Sequence, residues 1–173
     1  MKRVIASWST VVLILTTFGF TVSFGARVAS AQNEHFINSK TSLTIQSDGD
    51  LQVNWKEAGL GDTATTYTFD ATANVTCTCV TRSGRCPSAA NKKSATVNVS
   101  TQGTFSPKNG SVSASLTLSP TCPTSLQPTC GGGQHFALSG VSYTDISLSD
   151  DTHNVLASSL ATSAGPVTIF SCP

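Results

Sequence analysis

From Tyr67 to Cys79 every second residue is apolar or a cysteine (Tyr67, Phe69, Ala71, Ala73, Val75, Cys77, Cys79), and the positions between them are Thr, Asp or Asn. A period of two predicts one long half-buried strand with its apolar side toward a packed interior. Cys77 and Cys79 share that side. Leu43 and Ile45, then Leu51, Val53 and Trp55, repeat the alternation on either side of Asp48-Gly49 and predict a hairpin. The segment from Glu57 to Asp62 is then expected as a short loop into the long strand. Ala95, Val97, Val99 and Phe105 alternate after a polar loop from Thr81 to Lys93. Val112, Ala114, Leu116 and Leu118 resume the pattern beyond Asn109-Gly110, the strongest short hairpin signal in the chain.

The segment from Ser119 to Gln134 is broken by prolines and glycines that cannot continue a ladder, so it reads as a long surface loop. Beyond it, Phe136 and Leu138, Val141 and Tyr143, then Ile146 and Leu148 change parity near Gly140 and again near Asp145. Such slips predict bulges or a strand broken in two. Ser149 to Asn154 reads as a turn and Val167 to Phe170 as a last strand. No window holds a 3.6-residue repeat with caps, so helix is expected to be nearly absent beyond the N-terminal segment. Roughly seven to nine short strands with frequent turns indicate an all-β fold, an antiparallel β-sandwich of Ig-like or Greek-key type, with a β-barrel as the alternative.

The N-terminus carries Lys2 and Arg3, an apolar stretch centred on Val11 to Phe24, and the small-residue ending Val28-Ala29-Ser30-Ala31. This is the pattern of a secretory signal peptide cleaved after Ala31. Thr16, Thr17, Gly19 and Ser23 interrupt the apolar core, which argues against a retained membrane anchor. Residues 32–173 are then one secreted domain with no membrane span. Cleavage takes three basic residues and no acids, leaving seven basic against nine acidic, a balance of −2. No basic patch remains for nucleic acid or an anionic membrane.

All six cysteines (Cys77, Cys79, Cys86, Cys122, Cys130, Cys172) lie beyond the cleavage site. In an oxidising compartment an even number predicts three disulfides, with the connectivity open, including a local Cys122–Cys130 staple of the loop. Cys77-Thr78-Cys79 is too closely spaced for a zinc pair, and no metal or other cofactor is expected.

Little else points to chemistry. His35, His135 and His153 are the candidate bases; they follow the cleavage site, follow a glycine run and sit in a turn, so each is expected at the surface. No nucleophile elbow, zincin motif or phosphate loop occurs. Glu34 and Glu57 are the only glutamates, and Asp48, Asp50, Asp62, Asp150 and Asp151 fall in turns, where aspartates hydrogen-bond their own backbone. Neither paired glycosidase carboxylates nor an EF-hand is read from them. Trp55, Tyr67, Phe69, Phe105, Phe136 and Tyr143 follow core parity, which removes a flat aromatic platform for sugars and leaves a side groove. The proline-rich segment 119–134 could dock pre-organised into a partner such as a protease cleft. Asn74, Asn98 and Asn109 head N-glycosylation patterns, which matter only on a eukaryotic route.

Val53-Asn-Trp-Lys-Glu-Ala-Gly-Leu-Gly61, Cys79-Val80, Pro87 to Lys92, Gly103-Thr-Phe105, Lys108-Asn-Gly110 and Val141 to Thr144 together resemble small, mostly uncharacterised secreted bacterial β-proteins that carry a Trp-Lys-Glu-Ala-Gly-Leu-Gly motif. The resemblance implies a bridge between Cys79 and Cys130, with Cys77, Cys86, Cys122 and Cys172 as additions. The accompanying pairs are expected as Cys77–Cys172 and Cys86–Cys122. It also marks Trp55, Lys56, Glu57, Gly59 and Gly61 either as a structural corner or as a ligand loop. The resulting expectation is a secreted, non-enzymatic binding or cell-envelope-associated protein with a glycan or protein as extracellular ligand. A protease inhibitor or toxin-like effector using 119–134 comes second, and a small extracellular hydrolase third.

Overall fold

The computed structural model describes residues 33–87 and 91–172, so the expected signal peptide lies outside the described residues. The long alternation forms a strand, β4 (Thr65–Thr81). Tyr67, Phe69, Ala73, Val75, Cys77 and Cys79 on its inner side are fully buried. The strands before it are β1 (His35–Phe36), β2 (Ser42–Ile45) and β3 (Leu51–Ala58). Those after it are β5 (Lys92–Phe105), β6 (Ser111–Leu118), β7 (Gln134–Asp150), β8 (Val155–Leu156) and β9 (Ser163–Thr168). Helix among the described residues is confined to two 3-10 turns, Asn38–Lys40 and Thr124–Thr129.

The strands form two antiparallel sheets packed as a sandwich. In one, β3 is central, with β6 along one edge and β1 and β2 along the other. In the other, β4 lies between β5 and β7, and β8 and β9 line the far edge of β7. The sheets do not join, so the fold is a sandwich and not the alternative barrel. Both parity slips are real: the β4–β7 register shifts between Asp70 and Thr72, where Asp145 takes a φ of 52°, and between Thr76 and Cys77, beside Gly140.

Asn109-Gly110 does not join β5 and β6 as a hairpin. A tight turn does form, with Lys108 and Ser111 exchanging both backbone hydrogen bonds at 2.8 and 3.2 Å. Its arms then part, because β5 completes the sheet of β4 and β6 that of β3. The turn crosses from one layer to the other. The expected loop from Glu57 likewise begins later, since β3 continues through Glu57 to Ala58 before the chain turns.

Three disulfides gather at the Cys77–Thr81 end of β4. Cys79 joins Cys130, the bridge that the resemblance implies. The other two expected pairs are exchanged: Cys77 joins Cys122 and Cys86 joins Cys172. The reason is which segment covers which face. Cys77 and Cys79 point inward, and the chain leaving β6 crosses that side from Cys122 to Cys130, with Leu126 packed on the core. The C-terminal tail runs instead along β7, with Ile169 N–H donating to Ser139 O at 2.9 Å, and ends beside Cys86 and Lys92, whose Nζ donates to Cys172 O at 2.9 Å. With both faces covered, four successive residues from Cys77 to Val80 are buried despite the strand's alternation.

Candidate functional site

Trp55, Lys56 and Glu57, expected in a candidate ligand loop, lie in β3. Period two turns Trp55 and Glu57 inward, leaving them 2% and 0% exposed, while Lys56 lies on the opposite face. Gly59 and Gly61 follow the strand with φ of 87° and 59°. A Cβ on Gly59 would sit 2.4 Å from the backbone oxygen of Asn33. Leu60, fully buried between them, donates its N–H to Gly110 O at 3.1 Å, so the motif seats the corner on the Asn109-Gly110 turn. Trp55 and Glu57 are therefore core residues, and Gly59 and Gly61 form the corner.

The interior beside that corner holds an acid–aromatic cluster. The Trp55 and Tyr67 rings lie 4.9 Å apart, and Phe105 meets Trp55 edge-on at 5.6 Å. Asp150, opposite Tyr67 in the β4–β7 ladder, is fully buried. Its Oδ1 accepts the N–H groups of Thr152 (2.8 Å) and His153 (3.0 Å), and its Oδ2 lies 2.6 Å from His153 Nδ1. Glu57 is equally buried but neither of its oxygens has a hydrogen-bond partner, nor do Tyr67 Oη and Trp55 Nε1. Burial pushes the Glu57 carboxyl up to about 7; the Tyr67 hydroxyl opposes the rise from outside hydrogen-bonding geometry, and the charge of Asp150 adds to it. Burial and the neighbouring Glu57 raise the Tyr67 phenol above its usual range.

This cluster answers the expectations about acids and histidines. Glu57 and Asp150 come from different sheets and are both fully buried, and the charge of Asp150 acts on the Glu57 carboxyl. His153 is half-buried and tied to Asp150, contrary to its expected exposure, whereas His35 and His135 are exposed. His153 with Asp150 has the form of a base and its orienting acid, yet among the described residues no hydroxyl hydrogen-bonds to the ring's other nitrogen.

The outer face of the β4 sheet has a different character. Thr66, Thr68, Asp70, Thr72, Asn74 and Thr76 of β4 stand between the Ser, Thr, Asn and Gln side chains of β5 and the Ser and Thr side chains of β7. Lateral hydrogen bonds fix the array. Thr66 pairs with Thr104 at 2.9 Å, Thr96 donates to Asn74 Oδ1 at 2.9 Å, Thr76 pairs with Ser94 at 3.1 Å, and Gln102 donates to Thr68 at 3.2 Å. Asp151 accepts from Thr68, from Ser149 (2.7 Å) and from Gln102 (3.3 Å); the Thr68 hydroxyl is the main cause that holds its carboxyl below the usual range. At the disulfide end the face runs into a cleft of about 310 Å³ between Asn74, Thr76 and Ser142 on the sheet and Pro166, Thr168 and Phe170 toward the C-terminus.

Set beside protein-family models, curated proteins and solved structures, the chain matches none. Among the described residues no group of three His, Cys, Asp or Glu could hold a metal ion. Of the residues singled out in the sequence, the cysteines come together, and Trp55 and Glu57 enter the core. The outer face and its cleft were missed as a site, although the same alternation that placed the core also lists the outward Thr, Asn and Asp.

Proposed function

We propose that the protein is exported and acts outside the cell as a non-enzymatic binding or envelope-associated protein, taking a glycan on the outer face of the β4 sheet. One observation carries this reading: a laterally fixed hydroxyl and amide array continues into a cleft with apolar walls at Pro166 and Phe170. Each hydroxyl both donates and accepts, so such an array can match a polyhydroxylated ligand, and its order before binding lowers the entropy cost. Three disulfides suit an exported protein, and none of the described helices is long and apolar enough to cross a membrane. Kinship with secreted bacterial β-proteins carrying the Trp-Lys-Glu-Ala-Gly-Leu-Gly motif belongs to the same proposal.

Calorimetric titration of the purified protein with cell-wall glycans and polysaccharides tests it. Saturable binding is expected, and Asn74→Ala with Ser142→Ala should weaken it by about tenfold through two lost hydrogen bonds. Stoichiometric inhibition of a protease, with no glycan bound, would replace this reading with the loop-inhibitor one. In that role 119–134 would act as a segment anchored at Cys122 and Cys130 with a 3-10 turn between them. Turnover of any substrate would favour the hydrolase.

A further inference from the structure

The sandwich is closed unequally at its two sides. On β4 the inward apolar residues are sealed, but on its neighbour β5 Ala95, Val97, Val99 and Phe105 are only half-buried, as are Ala114 and Leu116 on β6. A cleft of about 270 Å³ opens at the same side, beside Phe105 and Val112. Among the described residues no strand pairs with the second edge of β5. Edge strands of monomeric proteins are ordinarily kept from pairing by charge, proline, bulges or shortness. The opposite edge has such devices: β8 is two residues long, and β9 carries Pro166 and a register shift against β7. On β5 nothing comparable occurs. Ser94 to Phe105 contains no charge and no proline, and its register with β4 runs unbroken from Thr65–Phe105 to Thr78–Lys92.

We infer that β5 is a self-association edge, at which two copies of the chain pair β5 to β5 in antiparallel fashion about a two-fold axis near Val97 to Val99. Such an isologous pairing preserves parity. Ala95, Val97 and Val99 of each copy meet their counterparts on the inner side, and Thr96, Asn98 and Ser100 extend the outer hydroxyl face into that of the partner. Charge selects this occupant. The only charged residues of β5, Lys92 and Lys93, stand at one end of the strand. An antiparallel two-fold sends the two lysine pairs to opposite ends of the new ladder, whereas a parallel arrangement would set them side by side. An acidic or basic peptide would find no charge to meet along Ser94 to Phe105. At about 3.3 Å per residue the strand presents an edge roughly 45 Å long, well beyond the ordinary five or six residues. The pairing does not depend on what the outer face binds.

Sedimentation equilibrium of the purified disulfide-bonded protein, from nanomolar concentration to its solubility limit, tests the inference. A reversible monomer–dimer equilibrium is expected. Asn98→Lys with Ser100→Lys sets like charges across the two-fold and should weaken the dimer at least about tenfold, with the thermal midpoint of the dilute monomer unchanged because both side chains face solvent. Mixing that variant with Asn98→Asp/Ser100→Asp should restore association as a heterodimer. A chain that stays monomeric throughout overturns the inference. So does a dimer indifferent to the lysines, or one broken instead by Ser115→Lys on β6.

Discussion

The two ends of β4 close the same kind of opening by different means. At the Tyr67 end the sandwich is sealed by packing: Trp55, Tyr67 and Phe105 interlock, Gly59 lets the corner approach Asn33, and the Glu57 carboxyl is enclosed among them. At the Cys77 end two of the inward positions of β4 are themselves cysteines, and the 119–130 segment and the C-terminal tail are bound covalently through three bridges. A seal of side chains ties stability to whatever those side chains titrate. A seal of disulfides ties it to the redox state of the surroundings and leaves the loops free to vary in sequence.

The sharpest test of that division removes a bridge. Replacing Cys79 and Cys130 together by Ser leaves Cys77–Cys122 in place, so the closure that is lost runs only over 77–79 and 122–130 through that bridge. A chain-entropy account assigns a closure of that length about 3 kcal/mol. Denaturant unfolding followed by Trp55 fluorescence should show a loss of that size. Trp55 is the sole tryptophan beyond Ala31, so its fluorescence follows global unfolding from the packed end. Hydrogen exchange should accelerate first over Cys77–Thr81 and 122–130, with the amides around Trp55 and Tyr67 protected until global unfolding. Equal loss of protection at both ends would mean that they are one cooperative unit, and the division would fall.

Next in size is the response of the packed end to pH. Glu57 rises from 4.5 to about 7 in the folded protein, so between those values the native state keeps a proton that the unfolded chain has released. Deprotonation therefore favours unfolding. The contribution is complete below 4.5, is lost as pH rises toward 7, and is absent above it, a span of about 3 kcal/mol. Glu57→Gln should flatten this slope and unfold later than the parent at about pH 8.5, with little difference at about pH 4. Thermal melts across that range read both. A parent whose stability is level from pH 4.5 to 7 would show that the carboxyl is not enclosed in solution.

Much of this contrast was legible along the chain, and the gaps have a common cause. Alternation located β3 to β7, the inward cysteines and the slips at Gly140 and Asp145, because side-chain parity is a local property of the backbone. Pairing is not local. Asn109-Gly110 specifies a turn but not which strands its arms join, and the inward parity of Cys77 does not say whether 122 or 172 arrives on that side. Glu57 was legible in part: its parity with Trp55 points it inward, and only its grouping with the opening of a loop concealed this. That the charge of Asp150 acts on it required knowing how the two sheets face each other.

The smallest predicted effect concerns the corner that makes the packed end possible. Gly59 holds a φ of 87°, in the left-handed region where a Cβ is strained, and the added atom would meet the Asn33 carbonyl at 2.4 Å. Gly59→Ala should cost about 2 kcal/mol, most of it backbone strain with the remainder from displacing the chain just before β1. Gly84 supplies the control: its φ is 73°, but a Cβ there meets nothing within 4 Å. Gly84→Ala carries the backbone term alone, in a turn next to the disulfide end. If strain were all that mattered, the two variants would melt together. A lower midpoint for Gly59→Ala, with faster exchange at Phe36 and Ile37, would isolate the close approach itself. Ile37 N–H donates to Lys56 O at 2.8 Å, so its exchange reports directly whether β1 has been pushed away from the strand that carries Trp55 and Glu57.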